Sequence, residues 1–163
     1  VQRGLHDIEK EIEFEGNSKI VAHDSEGFEA GKQNEVDVVR KFIDIRSKER
    51  DINQRLHLVW YCMEMNSRPI QQAEKDFFSM PSQVPVVAIV TKFDTFLQDA
   101  QQKIEERAEE EDQEIDDDEV ERLAMVQANV QFEQHYKKPL VNMKHPPKAV
   151  VTLSEGKFFF RSS

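Results

Sequence analysis

The sequence predicts an α/β fold: a mostly parallel, three-layer sheet with helices on both faces and an antiparallel hairpin at one edge. Three observations carry this. Short apolar runs, VVAIV at 86–90 the clearest, have the length and β-branched content of buried strands. Segments of helical periodicity alternate with them. Near the start, alternating apolar residues flank Gly16-Asn17, the signature of a hairpin.

In chain order, Ile8, Ile12 and Phe14 lie among charged residues and read as the first hairpin strand. Residues 19–22 (KIVA) form its partner, which ends at Asp24. Val36, Val39 and Ile43 fall at i, i+3 and i+7 and predict a helix from Asn34 to about Arg50. Residues 56–63 (LHLVWYCM) read as a buried strand. Asn66 to Pro69 reads as a helix entry, with Ile70, Ala73 and Phe77 at helical spacing behind it. Pro81 and Pro85 break that helix before the 86–90 strand. Helices are expected from about Gln98 and again from about Glu119 to Tyr136. Pro139, Pro146 and Pro147 mark a loop, and Ala149 to Leu153 a last strand.

Composition narrows the class. Of the 163 residues, 38% are hydrophobic and 33% charged, as in a globular domain with one highly charged part. That part is residues 105–121, whose twelve acids and one arginine account for the net charge of -10. The expectation there is a solvated helical insertion within 98–136, or a disordered one, able to dock a basic partner. Phosphate repels such a segment, so nucleic acid is excluded as its partner. No run approaches the roughly 18 apolar residues of a membrane span. Cys62 is the sole cysteine, which rules out an intrachain disulfide and fits a reducing, cytoplasmic setting. Asp116 to Glu119 lacks the glycine and spacing of an EF-hand loop, and His23, His57, His135 and His145 show no metal-ligand spacing. No G-x-S-x-G elbow or Cys/His pair points to another hydrolase class.

Two motifs carry chemistry. An apolar strand runs into Asp24-Ser25-Glu26-Gly27, a D-x-x-G pattern. An acid at the carboxyl end of a parallel strand sits where open α/β sheets bind ligands. There Asp24 can serve Mg²⁺, usually through water, and Gly27 lets the backbone approach a terminal phosphate. Alone, the same four residues also describe a plain turn. The second motif, Thr91-Lys92-Phe93-Asp94, follows the 86–90 strand directly. A carboxylate at Asp94 can accept hydrogen bonds from both N1–H and the exocyclic amine of guanine. Adenine offers no such donor pair and would leave the acid unpaired. The Lys92 stem can lie along the face of the base. Alone, this too fits a solvated turn. Together, 67 residues apart with one strand and two helices between them, the motifs point to one nucleotide site.

These motifs resemble those of P-loop GTPases. HDSEGFEAG at 23–31, LVWYCM at 58–63 and VVAIVTKFD at 86–94 are similar to a fungal group of G-domain proteins, over about Leu5 to Ser154. The resemblance implies a partial, Ras-like G domain over residues 5–154 that binds GTP or GDP with Mg²⁺. It implies Asp24 for the metal, Gly27 for the γ-phosphate, and Thr91, Lys92 and Asp94 for the base. Thr152, Leu153 and Ser154 would form the guanine loop. Residues 155–163 depart from the family and read as a divergent tail.

The G-x-x-x-x-G-K-S/T loop that cradles phosphates occurs nowhere in the sequence. With Val1 in place of Met, the first strand and that loop are expected upstream. The absent strand would lie between the one ending at Asp24 and the one at 56–63, leaving two strands short of a partner. Phe28 stands where Ras-like enzymes place a water-orienting glutamine, so slow hydrolysis is expected even of a longer chain, and this chain alone is expected to be inactive. The competing expectation is a non-catalytic G-domain-like module that binds a protein partner.

Overall fold

In a computed structural model of the chain, residues 7–25, 33–65, 70–154 and 157–159 are described. They form a mixed α/β structure in two compact units. The first comprises the described residues through His57 together with Gln71–Val84, and the second comprises the rest.

In the first unit, β1 (Glu11–Phe14) and β2 (Asn17–His23) pair antiparallel as expected. Gly16 turns between them at φ 80°, a conformation that strains residues with a Cβ. The register shifts between Glu13 and Phe14, a bulge next to the turn. Helix α1 (Gln33–Ser47) buries Val36, Phe42 and Ile43 and packs against the short α2 (Gln72–Phe77). Glu74 caps α2 by accepting the Gln71 N–H at 2.8 Å. Arg40 reaches from α1 to the carboxyl end of α2 and donates to the carbonyls of Phe77, Met80 and Pro81.

In the second unit, β3 (Val59–Glu64), β4 (Val86–Thr91) and β5 (Ala149–Ser154) run parallel in that order. A short β6 (Lys157–Phe159) pairs antiparallel on β5. Strand β4 is central and its interior is buried on both faces, which is why its sequence is an unbroken apolar run. Strand β3 lies at the sheet edge and alternates: Tyr61 is buried, while Trp60 is 60% exposed and Cys62 is exposed. Two long helices, α3 (Phe93–Glu110) and α4 (Asp117–Phe132), pack on each other. One π-helical turn, Glu133–Lys137, joins α4 to α5 (Lys138–Val141). Val90, Phe93, Ala128, Phe132 and Tyr136 form a buried cluster with Met65.

Four expectations need correction. The β1–β2 hairpin forms its own two-stranded sheet, and the antiparallel edge of the parallel sheet is β6, drawn from the expected tail. Alternation and a turn specify pairing inside a hairpin, but not which other strand it adjoins. Helix α3 begins at Phe93, not near Gln98, because Phe93, Phe96, Leu97 and Ala100 already follow the apolar helical spacing. Strand β3 begins at Val59, not at Leu56.

The acidic run is largely exposed and helical on either side of a turn. Helix α3 closes in a Schellman arrangement: Asp112 takes φ 51°, its N–H bonds to the Glu109 carbonyl at 3.2 Å, and the Gln113 N–H bonds to the Ala108 carbonyl at 2.9 Å. Asp116 then caps α4, its carboxylate accepting the Glu119 N–H at 2.8 Å. Asp117, Asp118 and Glu119 occupy the first turn, where the helix dipole favours acids. The opposite stripe, Val120, Ala124, Ala128 and Phe132, is buried.

Candidate nucleotide site at the carboxyl edge of the parallel sheet

Strand β4 ends at Thr91, and two hydrogen bonds tie that end to β3. The Thr91 hydroxyl donates to the Met63 carbonyl at 3.2 Å, and the Met65 N–H donates to the Thr91 carbonyl at 2.9 Å. Lys92 then adopts the left-handed conformation, φ 58° and ψ 33°, and its carbonyl accepts the Phe96 N–H that opens α3. A non-glycine residue held in this conformation costs about 1–2 kcal/mol, and such outliers concentrate at functional sites. The kink reverses the chain from strand to helix within one residue. It sends Phe93 into the core and sets Asp94, half-buried, on the first turn of α3. There the helix dipole favours a carboxylate. Among the described residues, Asp94 carries no hydrogen bond or ion pair.

The Lys92 ammonium lies 2.8 Å from the Glu64 carboxylate at the end of β3. Both side chains are about half exposed, 57% and 51%, so the pair adds little stability. The Glu64 carbonyl accepts the hydroxyl of Tyr136, a buried residue of the π-helical turn, at 3.3 Å. Sequence reasoning passed over both residues. Glu64 had a usable signal: it is an acid that ends an apolar run, the same feature that singled out Asp24.

The neighbouring strand brings in Thr152, Leu153 and Ser154. Thr152 pairs with Val90, so the ends of β4 and β5 stand level at one edge of the sheet. Thr152 is 1% exposed and, among the described residues, its hydroxyl has no hydrogen-bond partner. A buried polar group in that state costs about 1–3 kcal/mol. Leu153 is half-buried, and Ser154 pairs through its backbone with Lys157. Thus Thr91, Lys92, Asp94 and the 152–154 segment share one edge, the carboxyl edge where α/β sheets bind ligands.

No known family, curated protein or solved structure matches the chain.

The other motif belongs to the first unit. Asp24 is exposed and directly follows β2. His23 anchors that strand end, with its Nδ1 2.8 Å from the Ile8 carbonyl and its ring 5.0 Å from that of Phe42. Gly27 and Phe28 lie outside the described residues. No group of three or more His, Cys, Asp or Glu side chains suited to a metal ion occurs among the described residues. Asp24 was expected at the end of a parallel strand, but among the described residues β2 pairs only with β1, antiparallel. No described helix is long and apolar enough to cross a membrane.

Proposed function

We propose that this chain is the base-recognition part of a guanine-nucleotide-binding, G-domain-type module. The observation that carries the reading is the left-handed Lys92, which turns a buried central strand into a helix and leaves the Asp94 carboxylate without a partner among the described residues at the carboxyl edge of the parallel sheet. In that role Asp94 accepts the N1–H and amine of guanine, and the Lys92 stem covers one face of the base. Thr91 fixes the turn. The orphaned Thr152 hydroxyl and the backbone of Leu153 and Ser154 supply polar groups from the adjoining strand. Asp24 would serve Mg²⁺ and Gly27 the terminal phosphate of GTP. The Ras-like fold and the assignment to P-loop GTPases belong to the same proposal, as does a cytoplasmic location.

The test is a titration of isotope-labelled chain with GMP, followed through backbone amide shifts. Shifts should cluster at residues 91–94 and 152–154 and be lost in Asp94→Asn, because the amide NH₂ sets a donor against the donors of guanine. Shifts of equal size in that variant would remove Asp94 from the site.

A second reading, a partner-binding module without catalysis, is favoured by a different feature. The turn between α3 and α4 surrounds an open hollow lined by Glu105, Glu109, Glu114, Asp116 and Asp117. A lysine-rich peptide that binds there with strong salt dependence would support it; no binding at low salt would dismiss it.

A further inference from the structure

We infer that Glu64 is a positioning residue for Lys92, which it holds across the face of the bound base. This rests on the base-recognition reading of Asp94 given above.

Glu64 is braced more closely than a strand-end surface acid requires. The residue before it accepts the Thr91 hydroxyl, and the residue after it donates to the Thr91 carbonyl. Its own carbonyl takes the Tyr136 hydroxyl. In register it stands opposite Thr91, one residue before the left-handed lysine. The backbone that carries its carboxylate is therefore fixed, and the Lys92 ammonium meets that carboxylate at 2.8 Å.

A lysine stem has four rotatable bonds, and ordering it on a ligand costs conformational entropy. A tether at the far end, set before the ligand arrives, reduces that cost. Stability does not explain the pair, since both partners are half exposed and pairs of this kind contribute little. Preorganisation of the stem gives it a use. The brace also links the site to the core: Tyr136 packs with Val90, Phe93 and Phe132, so the π-helical turn after α4 helps to fix the acid that fixes the lysine.

The test uses the whole chain and GMP, with affinity read from amide shifts. Glu64→Ala should weaken GMP binding by about two- to fivefold at low salt, the range open to an exposed ion pair. Glu64→Gln keeps an acceptor for the ammonium and should lose less. Lys92→Met keeps the stem but removes the ammonium, so adding Glu64→Ala to it should change nothing further. Raising the salt should shrink the Glu64→Ala defect, because the pair is solvent-screened. Unchanged GMP affinity in Glu64→Ala, alongside lost binding in Asp94→Asn, would overturn the assignment and leave the base site standing. An equal Glu64→Ala defect in the Lys92→Met background would overturn it too. Wild-type GMP binding by Asp94→Asn would bring down the base site and the positioning role together.

Discussion

Replacing Arg40 by methionine should loosen the α1–α2 pair by about 1–2 kcal/mol. The guanidinium donates to three carbonyls at the end of α2 and stacks over the Phe77 ring, 4.6 Å from its centre. The Met80 and Pro81 bonds are exposed, so water replaces them at little cost. The bond to the Phe77 carbonyl is part-buried and charge-assisted, which makes it worth about 1.5–2 kcal/mol. The stacking adds about 0.5–1 kcal/mol. Against these stands desolvation: burial lowers the Arg40 pKa, and its Nε is buried without a partner among the described residues. Removing that group returns about 1 kcal/mol. Methionine preserves most of the stem, so packing is not the variable. Hydrogen exchange of the α1 and α2 amides reads this unit separately from the parallel sheet. Lysine at position 40 should recover less than half of the loss, because one ammonium cannot span a fork of carbonyls. Protection that changes by less than about 0.3 kcal/mol in the methionine variant would refute the capping role.

Three further outcomes follow from the second unit. Asp116→Ala should cost about 1 kcal/mol in denaturant unfolding, and Asp116→Asn only a fraction of that, since asparagine caps nearly as well. Thr152→Val should raise the stability of the ligand-free chain by about 1 kcal/mol, because it removes a buried hydroxyl without a partner among the described residues, and should weaken GMP binding. The Arg122 guanidinium bonded to Glu119 holds that carboxyl below the usual carboxylate range. A depressed folded-state pKa gives stability that is present above the unfolded value and lost as pH falls through the folded one. The melting-temperature gap between wild type and Arg122→Gln should therefore hold at neutral pH and close only as pH falls below the ordinary glutamate range.

Much of the fold was legible because its signals are local. The 86–91 strand announced itself by an apolar run that only a doubly buried strand tolerates. Gly16 marked its hairpin because the turn needs a positive φ. Pairing between distant segments was not legible, and so the hairpin was expected at the edge of the parallel sheet and β6 was overlooked. The acidic run is helical and largely exposed, as its charge suggests, and only Ala108 and Val120 within it are buried; the buried stripe of α4 continues beyond it through Ala124, Ala128 and Phe132. At the candidate site, Asp94 and Lys92 were singled out by their position after an apolar strand. The left-handed turn that aims them was not, since lysine has no preference for it. Glu64 could be marked as an acid ending an apolar run, but its place opposite Thr91 needed the β3–β4 register, which a sequence does not display.

The most direct measurement compares GMP, IMP and AMP by calorimetry on the same chain. Guanine presents both donors to Asp94, hypoxanthine keeps only the N1–H, and adenine has neither. Affinity should fall in that order, with at least about tenfold lost per charge-assisted hydrogen bond removed. Equal affinity for all three bases, or preference for AMP, would contradict recognition of guanine by Asp94.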